Sequence, residues 1–381
     1  MNAIRSKIRV LLVTGSLNIG GMETVAMNIV RFSDRKTFVF DFLVYGEKEY
    51  SHEREAIQLG CRILRVPFPH DTPLSFEKNV RNIIRKNGPY QIVHCHNLFN
   101  CGFVAKAAYL EHVPVRISHS HTNRVKRAKS IIRNIYELYM RLLISKYSTD
   151  FFACSLKAGN YLFGKKFADI GFILKNGIDV DKFSFDNDVR EKYRQDFSVR
   201  DKLIIGQIGT LCDVKNHLFS LEVFKKMSEK QKNRYKLIFV GDGELKDDIE
   251  FKIEELDLQG DVIMLGRRSD VSEILSMIDL YFMPSKYEGV SVALMEAQAA
   301  GLPCVTSETA CAPEVNVTNQ IQTVCLLSPI DEWVDKIEQG LNIGRNYNSS
   351  RYIKECGYDI RSIIKDLNKK YLASLKNQED K

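Results

Sequence analysis

Apolar residues fall in short runs separated by stretches of helical period, and the two patterns alternate along the chain. Lys7 to Val13 (KIRVLLV) reads as a buried strand ending in a glycine-containing loop, Thr14 to Gly21. Met22 to Phe32 places apolar side chains at 22, 25, 26, 29 and 30, a helical spacing. Phe38 to Tyr45, Gln91 to His94, Val113 to Ser118 and Phe151 to Cys154 predict further strands, with helices near Phe103 to Leu110 and Ser130 to Lys146. The second half repeats the style. Leu203 to Ile208, Leu237 to Val240, Val262 to Leu265, Leu280 to Met283 and Cys304 to Thr306 predict strands. His217 to Ser228, Leu245 to Leu256, Val271 to Met277 and Val292 to Ala300 predict helices.

Such alternation implies α/β architecture with mostly parallel sheets. Lys175 to Arg200 is polar, Asp-rich and weakly periodic, and is expected to be a linker. The pattern predicts two Rossmann-like, doubly wound domains, 1–180 and 181–357, facing a cleft. Open α/β sheets take ligands at the carboxyl ends of their strands.

Composition narrows the class. A chain of 381 residues, 44% hydrophobic and 27% charged, suits two folded domains and excludes a disordered one. Uncharged apolar runs never approach 18 residues, so no membrane-spanning helix is expected. The run Val10 to Val13 is too short for a signal sequence. Nine cysteines, an odd number without any C-x-x-C, predict free thiols in a reducing cytoplasm. The net charge of +7 is unevenly spread. Between Arg116 and Lys166 eleven Lys/Arg stand against Glu137 and Asp150 alone, so this segment carries +9 and the remainder −2. A partner for the basicity is to be sought there.

The chemistry concentrates in Tyr287 to Val305 (YEGVSVALMEAQAAGLPCV). Ser291 is placed to cap a helix that Gly301-Leu302-Pro303 stops. Glu288 lies just outside its start and Glu296 eight positions on. Amides from Gly289 to Ala293 would form an anion site reinforced by the helix dipole. A phosphate cradle between two carboxylates that accept sugar hydroxyls describes a nucleotide-sugar site.

With that spacing, followed by A-x-A-x-G-x-P, the chain resembles the retaining glycosyltransferases of family 4, which have the two-Rossmann GT-B fold. Further motifs carry the resemblance: Gly20-Gly21-Met22-Glu23, Asn176-Gly177-Ile178-Asp179, Lys215-Asn216-His217 and Gly241-Asp242-Gly243. VHCHN (93–97), RISHSH (116–121), ACSLKAGNYLFG (153–164) and EAQAAGLPC (296–304) resemble the branch that builds bacterial capsular, exopolysaccharide or O-antigen units.

The resemblance implies a retaining, metal-independent hexosyltransferase. Its donor is a nucleotide-sugar, UDP-linked by default, with no separate cofactor and no metal. The acceptor is a lipid-linked saccharide. Glu296 would hold the ribose hydroxyls and Glu288 the transferred sugar near its anomeric centre. The amides of Gly289, Val290, Ser291 and Val292 would bind sugar hydroxyls and the distal phosphate. Lys215 would neutralise the diphosphate, backbone at Gly266 and Arg267 would meet the base, and Gly20 and Gly21 would let the first-domain loop approach the diphosphate. His119, at a strand end facing the cleft, would contact the transferring sugar. His121 and His96 are acceptor-side candidates, and His94 is expected to be a buried strand histidine. The tail, 358–381, resembles the family's terminal helix that crosses back to the first domain.

Two departures matter. Thr210 follows Gly209 where the family often has arginine, leaving Arg267, Arg268 and Lys286 as substitutes by sequence proximity. EGVS stands where EGFG is common, which leaves the donor sugar open.

An epimerase of the same architecture fits the motifs poorly, and intact Glu288, Glu296 and Lys215 argue against an inactive sugar-nucleotide binder. Alternating histidines could hold zinc, although strand ends at a cleft need polar residues in any case. Nucleic acid is not expected, because no binding motif accompanies the charge. Arg116 to Lys166 fits an anionic membrane surface, implying a cytoplasmic enzyme peripheral to the inner face of the cell membrane. Ile131, Ile135, Leu138 and Leu142 could equally be core, with Arg133 and Arg141 on a solvated face.

Overall fold

The computed structural model describes residues 7–18, 20–72, 75–122, 130–288, 291–311 and 315–380. The chain divides into two compact units, Met1–Asn176 with Ile360–Lys381, and Gly177–Asp359.

The first unit holds a seven-stranded sheet: β1 (Ile8–Gly15), β2 (Phe38–Tyr45), β3 (Arg62–Val66), β4 (Ile92–Cys95), β5 (Val115–Ser120), β6 (Asp150–Ala153) and β7 (Phe172–Ile173). Their spatial order is β3-β2-β1-β4-β5-β6-β7, and every pairing is parallel. The strands read as continuous apolar runs because helices cover both faces. In β1, Val10 and Leu12 enter one core while Leu11 and Val13 enter the other. The helix Ile360–Glu379 closes the first of these with Ile360, Ile363, Ile364, Leu367 and Tyr371, a buried stripe at helical spacing.

The second unit holds β8 (Leu203–Ile208), β9 (Tyr235–Val240), β10 (Val262–Met264), β11 (Leu280–Met283), β12 (Cys304–Ser307) and β13 (Ile321–Val324). Their order is β10-β9-β8-β11-β12-β13, again all parallel. Strand order reverses between β1 and β4 in one sheet and between β8 and β11 in the other. Such switch points open a crevice at the strand ends.

The segment expected as a linker is structured. Asn187–Asp196 is a helix whose cap, Asp186, accepts from the amides of Asp188 and Val189 at 2.9 and 3.0 Å. Charge anchors it beside Tyr193, which packs against the core. Arg190 and Arg194 reach Asp279 at 2.5 and 3.1 Å, and Arg194 is buried. The sequence pattern also missed β3. Its Arg62 and Arg65 obscure the alternation, but they pair with Asp41 and Glu53, both at 2.6 Å.

Candidate active site

At the switch point of the second sheet, the loops following β8 and β11 are neighbours because the strands pair, Leu280 opposite Ile205. After β9 the chain passes so near the first loop that a Cβ on Gly241 would lie 1.9 Å from the Gly209 carbonyl oxygen. Gly241 also has φ 147°, so glycine is required there on both counts. Asn216, in the left-handed conformation at φ 59°, starts the helix His217–Lys230. Its side-chain amide donates to the Pro284 carbonyl at 3.1 Å, tying the two loops together. Gln207 Nε2 donates to the Lys215 carbonyl at 2.7 Å, and Ser220 Oγ donates to Gln207 Oε1 at 2.6 Å.

Lys215 is thus held in place, and its Nζ donates to Glu288 Oε1 at 2.6 Å. The side chains are 18% and 16% exposed. Each compensates the other's charge where water is scarce. Two residues expected to serve diphosphate and sugar are therefore brought to one point.

Ser291 caps the helix Val292–Ala299 as expected, its Oγ accepting from the Leu294 amide at 3.4 Å. Gly289 and Val290 lie outside the described residues. Glu296 projects from the second turn, half-buried. Burial pushes its carboxyl up to about 7, while the charge of Lys182 acts in the opposite sense. Gly266 has φ 63°, and its carbonyl accepts from the Gly241 amide at 2.9 Å. Arg268 is held by Asp270 at 2.5 Å and Lys286 by Asp213, which commits both charges. Arg267 is 57% exposed, 3.9 Å from Asp242.

In the first unit, Gly20 precedes the helix Gly21–Phe32. A Cβ on Gly20 would meet Glu23 Oε2 at 2.6 Å, whereas one on Gly21 would meet open space. The missing side chain at Gly20 makes room for a carboxylate, which Ser16 Oγ also contacts at 2.5 Å. Clearance for a ligand is therefore a property of Gly21.

The histidines form a stack on one face of the sheet, because alternate strand residues share a side. His94 and His96 rings lie 4.2 Å apart, His119 and His121 4.0 Å. His94 Nδ1 meets the Tyr371 hydroxyl at 2.7 Å and His94 Nε2 meets His119 Nδ1 at 3.1 Å. His96 Nδ1 meets His121 Nε2 at 2.8 Å. His94 is buried as expected. His119 is wholly buried too, instead of lying open at a strand end, because the other rings and Phe152 enclose it. Burial lowers all four, His94 and His121 to about 3, so the rings are neutral near pH 7. His96 Nε2, His119 Nε2 and His121 Nδ1 are buried and have no hydrogen-bond partner among the described residues. His94, His96 and His119 each offer a nitrogen within 4.8 Å of the others, the geometry behind the zinc reading. Both nitrogens of His94 are, however, already engaged.

The helix Ile131–Tyr147 is inverted relative to the core reading. Met140, Leu143 and Ile144 are its buried residues. Ile131, Ile132, Ile135, Leu138, Tyr139 and Leu142 form an exposed stripe, with Ile132 at 81%. Arg133 and Arg141 turn inward: Arg133 binds Glu137 at 2.8 Å and Arg141 stacks 4.9 Å from the Phe99 ring centre. Ser155 caps the helix Leu156–Phe163. Of the basic segment, residues 123–129 lie outside the described residues. Among those described, no helix is long and apolar enough to cross a membrane.

Two parallel, doubly wound sheets of this kind are the GT-B architecture. Residues 189–359 match the family model for glycosyl transferases group 1, and residues 20–166 match that for a glycosyl transferase 4-like domain. The chain belongs to this family. It is 35% identical over 367 residues to EpsF of Bacillus subtilis (strain 168), which carries a provisional glycosyltransferase name; the match covers 94% of this chain and 95% of that one. It is 26% identical over 322 residues, 81% of each chain, to the Escherichia coli UDP-Gal:alpha-D-GlcNAc-diphosphoundecaprenol alpha-1,3-galactosyltransferase. Among solved structures, Anabaena Alr3699/HepE in complex with UDP and glucose superposes with a TM-score of 0.75 at 18% identity, covering 96% of this chain and 100% of that one.

Sequence reasoning missed Tyr371, which sits 277 residues from the histidine it contacts. Its one signal is a place on the apolar stripe of the last helix.

Proposed function

We propose that the protein is a retaining, metal-independent hexosyltransferase of surface polysaccharide synthesis. It takes a sugar from a UDP-linked donor and adds it to a lipid-linked saccharide at the inner face of the cell membrane. The observation that carries this reading is the Lys215–Glu288 pair at 2.6 Å, with Glu296 in the second turn of the helix that follows. The Escherichia coli relative supports it, since its name gives a UDP-sugar donor and a diphosphoundecaprenol acceptor.

In the unliganded protein Lys215 neutralises Glu288. A bound diphosphate draws the ammonium to itself and frees the Glu288 carboxylate for the sugar. Glu296 accepts from the ribose hydroxyls, and backbone at Gly266 and Arg267 meets the base. Amides at Gly289, Val290, Ser291 and Val292 bind the distal phosphate and sugar hydroxyls, and the open backbone at Gly21 is the first-unit candidate for the diphosphate. His121, the partly exposed member of the histidine stack, is the acceptor-side candidate.

The bond from the anomeric carbon to the phosphate oxygen breaks, and the acceptor oxygen bonds to that carbon on the same face. The acceptor proton passes to the departing phosphate oxygen, so Glu288 orients and does not attack. Lys215 and the helix start stabilise the leaving charge by preorganised electrostatics. No step in this scheme calls for a metal or a further cofactor. The exposed apolar stripe of Ile131–Tyr147, within the basic segment Arg116–Lys166, supports docking on an anionic membrane.

Glu288→Gln tests the assignment. Turnover of the sugar nucleotide is expected to fall about 100-fold or more while the thermal transition is kept. Near-normal turnover overturns it.

A further inference from the structure

In the second unit, backbone pairing of β11 with β12 ends at Met283 opposite Thr306. Pro284 follows, and it has no amide to extend the ladder. Side chains of β12 take over from the backbone there. Thr306 Oγ1 donates to the Met283 carbonyl at 2.8 Å, within the paired region. Ser307 Oγ donates to the Ser285 carbonyl, past the last pair. Thr306, Ser307 and Ser285 are all wholly buried. A buried carbonyl needs a donor, so the chain at Ser285 is held where Ser307 offers one. Ser307 is itself fixed, because β13 pairs it with Val324. Three residues after Ser285, the Glu288 amide donates to the Thr309 carbonyl at 3.4 Å, so the end of β12 holds this loop twice. From the other side, the Lys286 amide donates to the Val214 carbonyl at 2.8 Å, on the loop that carries Lys215.

These ties matter once Lys215 leaves its partner. In the ligand-free protein the Glu288 carboxylate is anchored by the Lys215 ammonium. When a diphosphate draws that ammonium away, the backbone of 284–288 is what keeps the carboxylate in place. We propose that Ser307 is a positioning residue that clamps the Glu288 loop to β12, so that Glu288 stays aligned while Lys215 turns to the diphosphate. The role of Glu288 toward the sugar rests on the glycosyl-transfer reading, whereas the clamp is a property of this unit alone. Ser307 touches no substrate and acts through the Ser285 carbonyl. A group held in advance costs no reorganisation at the moment of reaction, and a misplacement of about 1 Å can cost about 100-fold in rate.

Ser307→Ala removes the donor without adding bulk. Hydrogen exchange of the ligand-free full chain, read by mass spectrometry over 285–288, is expected to quicken about tenfold in this variant, the weight of one hydrogen bond. Thr306→Val removes a buried hydroxyl from the same strand but inside the paired region, and exchange over 285–288 is expected to stay as in the wild type. With a sugar nucleotide, Ser307→Ala should lower kcat about tenfold while UDP affinity is kept, and Thr306→Val should keep both. Unaltered exchange in Ser307→Ala overturns the clamp. That arm needs no sugar, so it fails independently of the proposed reaction. Faster exchange with kcat unchanged overturns the positioning role instead. An equal fall of kcat in both variants, or a matching loss of UDP affinity, overturns it as well, since a merely structural hydroxyl would give either.

Discussion

Glu296 has a carboxyl that burial holds near 7. In the unfolded chain it titrates at its ordinary value, 4.5. Between these values the folded protein holds a proton the unfolded chain has released. Its contribution to stability is therefore greatest below about pH 4.5 and is lost as the pH rises through about 7. Binding has the opposite sign. The ionised carboxylate is the better acceptor for paired hydroxyls, so nucleotide affinity should increase about tenfold from about pH 6 to 8. Calorimetric titration with UDP checks this, and Glu296→Gln should give a weaker, pH-flat response. A flat wild-type profile would argue against ribose binding at this residue. Glu288, Glu296 and Lys215 were legible because one short motif and one loop carry them. The salt bridge between Lys215 and Glu288 was not, since 73 residues separate the partners and only the β8–β11 pairing joins them. The enclosure of His119 was equally hidden, because an H-x-H pattern gives the shared face but not what covers it.

Among the elements, the helix Ile131–Tyr147 departs most from an ordinary surface helix. Its exposed stripe of six large apolar side chains faces outward while its arginines face in. Such a face costs solubility unless something covers it. Membrane docking predicts that Leu138→Asp with Leu142→Asp lowers binding to anionic vesicles by about tenfold or more, since a buried leucine contributes about 1.5–3 kcal/mol. Both side chains are 60% exposed, so the thermal transition should hardly move. Wild-type binding should also weaken in about 0.5 M salt, where screening shortens to a few ångströms. Vesicle sedimentation reads both effects, and indifference to substitution and salt would count against docking. Periodicity placed this helix correctly yet could not say which side of it was covered. The helix Asn187–Asp196 escaped for a related reason. Its anchor is Asp279 receiving two guanidinium groups, and a hydrophobic pattern carries no trace of such a contact.

For the whole chain, the alternation of strands and helices was enough to predict two parallel-sheet units, because continuous apolar strands require cover on both faces. Edge strands such as β3 were lost where charged residues satisfy one side. The mild net charge of +7 conceals a segment of +9 in the first unit. Its described arginines are partly spent inside the protein: Arg116 bonds the carbonyls of Val113 and Pro114, and Arg133 binds Glu137. The apolar stripe therefore joins charge as the basis of the proposed membrane contact. The proposed reaction is sugar transfer from a nucleotide donor to a lipid acceptor. Its most direct test incubates the intact protein with radiolabelled UDP-sugars, a polyprenyl-diphosphate-linked sugar in vesicles and excess chelator, and determines the anomeric configuration of the product. Label moving to the lipid with the donor's configuration is the predicted result. A new free sugar nucleotide, or an inverted linkage, would contradict it.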